Sequence, residues 1–421
     1  MMNTMPLTDY IAAIDIGTTK ICVLIGHVQP HGAVEIVGIG RYPSYGLKKG
    51  IVVNMSATVE SIKRALKEAQ AQAGITVQKA IVGIAGSHIK SFNSTGVVGI
   101  SRPDVTQYDI DRVIEAAKAI PIPQDREILH VLPQYFRVDG QEYVQDSLGM
   151  HGVRLEAHVH IVTGAISSAQ NIIKAVELAG VEVLDIVLEQ LASAQAVLTP
   201  SEQELGVGIL DIGGGTSDFA IYKDGRIRYS KVFPVAGNHF TNDLAIGLGI
   251  PIAQAEEIKK SFGCVTEQAY KDLGMVRTNV ALDHDVGTKE IEIYSLYEIL
   301  QPRAEEIFSF VHEEIIANRL MLLMPSGFVL TGGGSLLRGL RQLVQQTLQV
   351  PVRIGSPRYY FMPGDDQNGV PEILRSPLYA TAYGLLAFGL KDNKTFWHNS
   401  SEAPLLSRVL QRMKTWIYDF L

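Results

Sequence analysis

Cysteine is scarce in this chain. Two cysteines, Cys22 and Cys264, occur among 421 residues. That number is too small for a disulfide framework or a cysteine-rich zinc site, because both need several thiols at defined spacing. Each cysteine lies in an apolar pattern, so we expect both to be buried as small hydrophobic side chains.

Long apolar runs and an excess of positive charge are also missing. No apolar stretch reaches the roughly 18 residues that suggest a membrane span, and the first residues lack the basic and apolar regions of a signal peptide. The formal net charge is −7, which gives no overall signal for nucleic-acid binding. With 46% hydrophobic and 19% charged residues, we expect a cytosolic protein of two or three domains.

Three consecutive glycines form the strongest functional signal. The segment LDIGGGTSDFAIY (210–222) has the pattern of a strand, a glycine turn and a second strand. Gly213, Gly214 and Gly215 allow backbone N–H groups to converge on an anion such as phosphate. Asp211, at the end of the first strand, is suited to hold a hydrated divalent cation. Because a P-loop or Rossmann turn would lead into a helix, the second strand argues against both.

A similar segment lies near the start of the chain. In IAAIDIGTTKICVLIG (11–26), Asp15 and Gly17 occupy the places that Asp211 and Gly213 occupy 196 residues later. Two similar hairpins half a chain apart predict a duplicated domain with a nucleotide between the halves. The residues after the first turn add two hydroxyls and a cation for the phosphates: Thr18, Thr19 and Lys20.

Two helices rich in small residues are predicted to connect the halves, at 189–198 and 377–390. Glu189, in the first turn of the former, could orient an attacking water. Stabilisation of the helix dipole is an equally strong alternative.

Candidate contacts for the nucleoside lie further along the chain. Glu256 and Lys259 share a helix face, where they could hold ribose hydroxyls or form a solvated ion pair. The segment 327–349 has the pattern strand, glycine turn, helix. Gly332, Gly333 and Gly334 would let the base, ribose or α-phosphate approach the helix N-terminus; a purely structural turn is the alternative.

The pattern between these motifs predicts further elements. Residues from about Gly86 to Val162 read as a small α+β insert, in which His158 and His160 share a strand face as a sheet-surface or interface pair rather than a metal site. Residues 275–297 are strand-like around a polar loop, and a long amphipathic helix is predicted from about Leu300 to Leu322.

The C-terminal segment carries a separate signal. Residues 391–404 form a polar linker, and 405–421 have apolar residues at helical spacing flanked by cations. Such a helix is too short to span a bilayer but suits an in-plane position on an anionic membrane surface. Docking on a protein is the alternative. The residues of the stripe and its flanks are Leu406, Arg408, Val409, Leu410, Arg412, Met413, Lys414, Trp416, Ile417 and Phe420.

DIGTTK, LDIGGGTSDFAIY and TGGGSLLRGL resemble the two phosphate motifs and the adenosine motif of the actin, sugar-kinase and heat-shock-chaperone ATPase superfamily. Within it, LPQYFRVDG, GMHGVRLEAHVHIVT and the terminal helix resemble the FtsA family of bacterial cell-division actin homologues, over essentially the whole chain. The resemblance implies an α/β, actin-like (ribonuclease H-like) fold with two lobes built from duplicated mixed-sheet domains. It also implies an FtsA-type α+β insert and a C-terminal amphipathic helix.

The resemblance implies these divisions of the chain: a first-lobe core at 1–83, 163–197 and 371–390; the insert at 84–162; a second-lobe core at 198–227 and 300–370; a second-lobe subdomain at 228–299; the linker at 391–404; and the membrane helix at 405–421.

The resemblance further implies that ATP and Mg²⁺ bind between the lobes. Asp15 and Asp211 would lie beside the magnesium ion. Residues 17–20 and 213–216, including Thr216, would contact the phosphates. Gly237 would contact the nucleoside together with Glu256, Lys259 and the glycines at 332–334. Because Gln190 follows Glu189 where a proline is common, we expect at most weak ATPase activity.

The family likeness implies self-association into protofilaments and attachment to the cytoplasmic face of the inner membrane at the division site. It implies partners as well: the FtsZ C-terminal peptide through the second lobe, later division proteins through the insert, and no nucleic acid. An actin-like scaffold of pilus assembly and a sugar or acetate kinase are the alternatives, and the terminal helix counts against the kinase.

Overall fold

Two lobes face each other across a cleft in the computed structural model of the chain, which describes residues 10–29, 34–281, 287–358 and 370–391. Most of the predicted linker at 391–404 and all of the predicted helix at 405–421 lie outside these ranges. None of the helices in the described ranges has both the length and the apolar character needed to cross a membrane.

The first half of the chain forms the first lobe and the insert. Its elements are β1 (Tyr10–Ile16), β2 (Lys20–Val28), β3 (Val34–Pro43), β4 (Leu47–Lys48), β5 (Ile51–Val52), α1 (Met55–Ala73), β6 (Lys79–Ile84), β7 (Lys90–Gly99), α2 (Gln107–Lys118), β8 (Arg126–Val138), β9 (Gln141–Val144), β10 (Arg154–Ala165), α3 (Ile166–Leu178), β11 (Glu182–Leu188) and α4 (Glu189–Val197).

The second half forms the second lobe and returns to the first in its last helix. Its elements are α5 (Pro200–Leu205), β12 (Val207–Ile212), β13 (Ser217–Lys223), β14 (Arg226–Phe233), α6 (Gly237–Leu248), α7 (Ile252–Phe262), α8 (Glu267–Asp272), β15 (Arg277–Ala281), β16 (Thr288–Glu292), α9 (Ile293–Ala317), β17 (Phe328–Thr331), α10 (Leu340–Leu348), β18 (Val352–Ile354) and α11 (Ala380–Lys391).

The two lobes share one sheet topology. The strand orders β11-β6-β1-β2-β3 and β18-β17-β12-β13-β14 correspond position by position. In each lobe the central strand pairs antiparallel with the next strand of the hairpin and parallel with a strand that follows later in the chain. The register also repeats, because Asp15 pairs with Cys22 and Asp211 pairs with Asp218, each 196 residues later. The predicted duplication and mixed α/β fold are confirmed.

Apolar residues on both faces explain the burial of the central strands. In β1, residues 11–16 are all buried, as are all six residues of β12, which requires cover on both sides of the sheet. Helix α1 packs closely on β3, since a Cβ on Gly40 would lie 1.9 Å from the carbonyl oxygen of Ala65. The turns that follow β1 and β12 thus extend from buried, well-packed strands into the cleft.

The insert is a four-stranded sheet in the order β7-β10-β8-β9, covered by α2. It also contacts β14 of the second lobe. Gln134 Nε2 donates to the carbonyl of Arg228 at 3.1 Å, and a ring nitrogen of His160 lies 2.8 Å from Ser230 Oγ. His160 is buried in this interface. His160 thus agrees with the predicted interface role.

Helices α4 and α11 cross between the lobes and touch through their backbones. A Cβ on Gly384 would lie only 1.8 Å from the carbonyl oxygen of Ala192. This approach is possible only without a side chain at position 384, as the small residues in both helices predict.

The structure differs from the local predictions at two places. Residues 293–297 are helical rather than strand-like, and the long helix starts at Ile293 rather than Leu300 and ends at Ala317. Its buried residues recur at helical spacing from Ile293 onwards, and packing of that stripe outweighs the local strand propensity. After the glycines at 332–334, a 3-10 turn (Gly333–Leu336) comes first and α10 begins only at Leu340, so the glycines do not open an α-helix. The predicted domain boundaries at 227 and 299 lie within β14 and α9, and the division into domains stays a prediction.

Candidate functional site

A cavity of about 370 Å³ lies in the cleft between the lobes. It is lined by every predicted nucleotide-site residue: Asp15, Gly17, Thr18, Thr19, Lys20, Glu189, Asp211, Gly213, Gly214, Gly215, Thr216, Gly237, Glu256, Lys259, Gly332, Gly333 and Gly334. Residues separated by more than 300 positions in the sequence therefore meet in one place.

The two hairpin turns close in the same way. Gly17 N–H donates to the carbonyl of Lys20 and Gly213 N–H to that of Thr216, both at 3.0 Å. The turns also face each other, since a Cβ on Gly214 would lie 2.3 Å from Thr19 Cγ2. The absence of a side chain at this glycine therefore lets the two turns approach from opposite lobes.

The N-terminus of α6 fixes the second turn from behind. Gly237 N–H donates to the carbonyl of Gly213 at 3.0 Å, and Asn238 N–H donates to that of Gly214 at 2.8 Å. These bonds set the orientation of the peptide groups in the turn. The positive end of the helix dipole also lies beside the cavity, where it favours a bound anion.

Carboxylates outnumber cations deep in the cavity. Lys20 Nζ lies 2.7 Å from Asp15 Oδ2. Although burial disfavours the charge of Lys20, the attraction of Asp15 raises the pKa of the ammonium group above its usual value. Thr381 Oγ1, from α11, donates to Asp211 Oδ2 at 3.0 Å. Burial, with the nearby charge of Asp15, nevertheless raises the pKa of Asp211 to about 6.

Asp218 and Glu189 complete the acidic group. Asp218, on β13, accepts a hydrogen bond from Thr216 Oγ1 at 3.0 Å and another from Gln190 Nε2 at 3.0 Å. Burial and the charge of Asp211 raise its pKa. Glu189, the first residue of α4, has its pKa raised by burial and by its carboxylate neighbours. Together these shifts show that burial and mutual repulsion disfavour the ionised forms of these carboxyl groups, which a bound cation would stabilise.

The opposite end of the cavity is built around Lys259. Its Nζ donates to the carbonyl of Gly237 at 3.1 Å and to Thr241 Oγ1 at 2.8 Å, and it pairs with Glu256. The pair is thus anchored by α6 rather than freely solvated. Gly332 has φ of +78°, and a Cβ there would lie 2.1 Å from Asp211 Oδ1. Only glycine therefore allows this turn to pass so close to Asp211.

Sequence reasoning missed some cavity residues, among them Asp218, Asn238 and Thr381. Asp218 lies near the start of a strand with a mostly apolar centre, and its antiparallel pairing with Asp211 is the signal that could have revealed it. Thr381 is a hydroxyl within a helix of small residues and carries no local signal of its own.

Paired hairpins on duplicated sheets, a cavity between them and two crossing helices define an actin-like protein. A chain of the PilM–PilN type IV pilus biogenesis complex matches this fold with a TM-score of 0.65 and 18% identity, covering 90% of this chain and 98% of that one. MreB5 of Spiroplasma citri bound to ADP matches with a TM-score of 0.55 and 16% identity, covering 94% of this chain and 100% of that one.

Proteins with similar sequences indicate which family of actin-like proteins the chain resembles. The cell division protein FtsA of Pseudomonas aeruginosa is 44% identical over 418 residues, 97% of each chain. FtsA of Escherichia coli is 35% identical, covering 97% of this chain and 95% of its own. The family model "Cell division protein FtsA" matches residues 208–384, and "SHS2 domain inserted in FTSA" matches 86–163, close to the predicted insert. The chain belongs to the FtsA family of cell division proteins.

Proposed function

We propose that the chain binds ATP with Mg²⁺ between its lobes and polymerises on the cytoplasmic face of the bacterial inner membrane at the division site. There it anchors FtsZ filaments through its C-terminal helix and helps to recruit later division proteins. The observation that best supports nucleotide binding is the pair of glycine turns with repeated register, which meet at one cavity. Family membership supports the role in division.

In this proposal each part of the cavity has one task. The turns at 17–20 and 213–216 contact the phosphates, and the N-terminus of α6 adds its dipole. Glu256 and Lys259 contact the ribose, and the glycines at 332–334 face the adenosine. Glu189 orients a water, with at most weak hydrolysis.

Magnesium fits the donor set. Asp15 and Asp211 lie on opposite lobes beside the turns, and the ionised forms of the buried carboxylates are disfavoured without a cation. Asp15 and Asp211 would hold the ion through bound water, because Mg²⁺ usually keeps several waters and binds few protein carboxylates beside substrate phosphates. When bound, the ion neutralises phosphate charge.

The membrane role rests on the pattern of residues 405–421. The second lobe is proposed to bind the FtsZ C-terminal peptide, and residues 84–162 are proposed to bind the later division proteins. A second copy of the chain would bind next to the first in a protofilament.

Liposome cosedimentation tests the membrane role. The full chain is expected to pellet with anionic vesicles, and a chain truncated after Lys391 is expected to remain in the supernatant. Trp416→Glu should also abolish pelleting, because it places a charge on the apolar face. Thr415→Glu, which adds the same charge opposite the apolar stripe, is the matched control. Equal pelleting of the full and truncated chains would contradict the proposal.

Addition of ATP and of FtsZ or its C-terminal peptide to the same assay tests nucleotide and partner together. We expect FtsZ to pellet only when the full chain is present. Recruitment of FtsZ by the truncated chain would show that attachment does not depend on the helix.

A further inference from the structure

A lysine occupies a turn position that usually takes asparagine or glycine. Lys49 and Gly50 form the two-residue turn between β4 and β5, because Lys48 pairs with Ile51. Their φ angles are +51° and +75°, and two consecutive positive φ angles are the arrangement of a type I′ turn. This conformation costs free energy for a residue with a long side chain. A use for the side chain would explain why lysine, and not asparagine or glycine, stands here.

The turn between β4 and β5 contacts both glycine turns of the nucleotide cavity. Gly50 lines the cavity, and its N–H group donates to Thr18 Oγ1 of the first turn at 3.1 Å. Across the cleft, a Cβ on Gly215 of the second turn would lie 3.0 Å from Lys49 Cα. Lys49 therefore belongs to the first lobe but lies against the second, at the end of the cavity that is assigned to the phosphates.

We propose that Lys49 is a further binding residue of the nucleotide cavity, whose ammonium group contacts the terminal phosphate of bound ATP. This inference rests on the proposed function, because it adds a contact to the nucleotide proposed for that cavity.

The charges at this end of the cavity support the proposal. Lys20 is paired with Asp15 at 2.7 Å, so its positive charge is partly offset before a nucleotide binds. Lys49, by contrast, forms no ion pair with a carboxylate in the described part of the chain. A triphosphate carries several negative charges, and an ammonium group without a carboxylate partner is a strong donor to its oxygens.

The position of Lys49 also suits the length of its side chain. Lysine carries its ammonium group on a flexible four-carbon stem, and this stem starts beside Gly215. Burial is the largest cause of the lowered pKa of His239, in the first turn of α6, and the charges of Arg303 and Lys49 lower it further. The charge of Lys49 thus acts across the cleft on the helix that supports the second glycine turn, where a bound phosphate would offset the repulsion between positive groups.

Lys49→Asn separates the charge of the side chain from the shape of the turn. Asparagine followed by glycine is a preferred sequence for a type I′ turn, so urea unfolding should show a variant at least as stable as the unaltered chain. Calorimetry of the full chain should show an affinity for MgATP that is lower by about tenfold. The loss for MgADP should be clearly smaller, because MgADP lacks the terminal phosphate.

Two further variants at the same position test the charge itself. Lys49→Arg keeps the positive charge and should retain most of the affinity for MgATP. Lys49→Gln removes the charge with little change in length, so it should repeat the loss and would replace Lys49→Asn if that variant failed to fold.

Lys48→Asn is the matched control. It removes the same charge one position earlier, from an exposed residue of β4. We expect this variant to bind MgATP as tightly as the unaltered chain does.

The outcomes distinguish the inference from the proposed function. If the unaltered chain binds neither MgATP nor MgADP, the proposed function fails. If it binds both and Lys49→Asn has the same affinities, the role of Lys49 is wrong. Equal losses for MgATP and MgADP, equal losses in the Lys48 and Lys49 variants, or a full loss in Lys49→Arg would also overturn a charge-dependent contact with the terminal phosphate.

Discussion

Replacement of Asp211 by asparagine should make the nucleotide-free protein more stable while it weakens MgATP binding. Asp211 is buried, and its pKa is raised from 3.8 to about 6. Asparagine retains an oxygen for the hydrogen bond from Thr381 but carries no charge. The substitution therefore removes the cost of ionising this group inside the cavity.

The magnitude follows from linkage. Below the ordinary pKa of 3.8 the carboxyl is mostly protonated in both the folded and unfolded states, so it costs little. Between about pH 4 and 6 the unfolded state ionises first, and the free energy of unfolding falls as pH rises. A shift of two units corresponds to about 3 kcal/mol, and this cost is fully present above pH 6.

Urea unfolding of both proteins without nucleotide, at pH 4 and pH 7.5, measures the effect. We expect Asp211→Asn to be close to the unaltered chain at pH 4 and more stable by about 3 kcal/mol at pH 7.5. Calorimetry at pH 7.5 should show lost or much weaker MgATP binding. A variant that is less stable at pH 7.5, or that differs equally at both pH values, would refute the reasoning.

Two further predictions concern packing and acid stability. Gly384→Ala should lower the free energy of unfolding by about 1–3 kcal/mol or more, because its Cβ would meet the Ala192 backbone. Gly99→Ala, whose nearest atom would be 4.0 Å away, should change it little, and equal effects would contradict the contact. Burial lowers the pKa of His160 from 6.5 to about 4. As the pH falls from 6.5 toward 4 the unfolded state therefore binds a proton first, and the free energy of unfolding decreases. In His160→Asn the decrease in the free energy of unfolding between pH 7 and pH 4, measured with urea, should be smaller by up to about 3 kcal/mol. An unchanged pH dependence would contradict the assignment to His160.

The repeated hairpins were predictable because their function requires glycine and aspartate at fixed places in the chain. The spacing of 196 residues and the strand that follows each turn determined the fold class. The glycines that line the cavity were predictable for the same reason, since backbone approach to a ligand restricts the choice of side chain.

Other parts depend on contacts between distant segments. The start of α9 at Ile293 is decided by burial of its apolar stripe, whereas Pro302 and the residues before it favour a later start locally. Asp218 resembles an ordinary polar position in a strand until its pairing with Asp211 is known. The hydrogen bond from Thr381 to Asp211 forms because α11, at the end of the described chain, packs beside the cavity. No short sequence pattern predicts that contact.

Among the positions at which the two registers differ, one changes a buried thiol into a buried carboxyl group. Cys22 stands in the first lobe where Asp218 stands in the second, and both are buried. A symmetric pair of halves would present the same charge to either end of a ligand, so a nucleotide could enter in two opposite directions. With the extra carboxylate in one half alone, the cleft has a front and a back. The direction in which a nucleotide would lie in the cleft is therefore set by differences between the two halves, of which this carboxyl group is one.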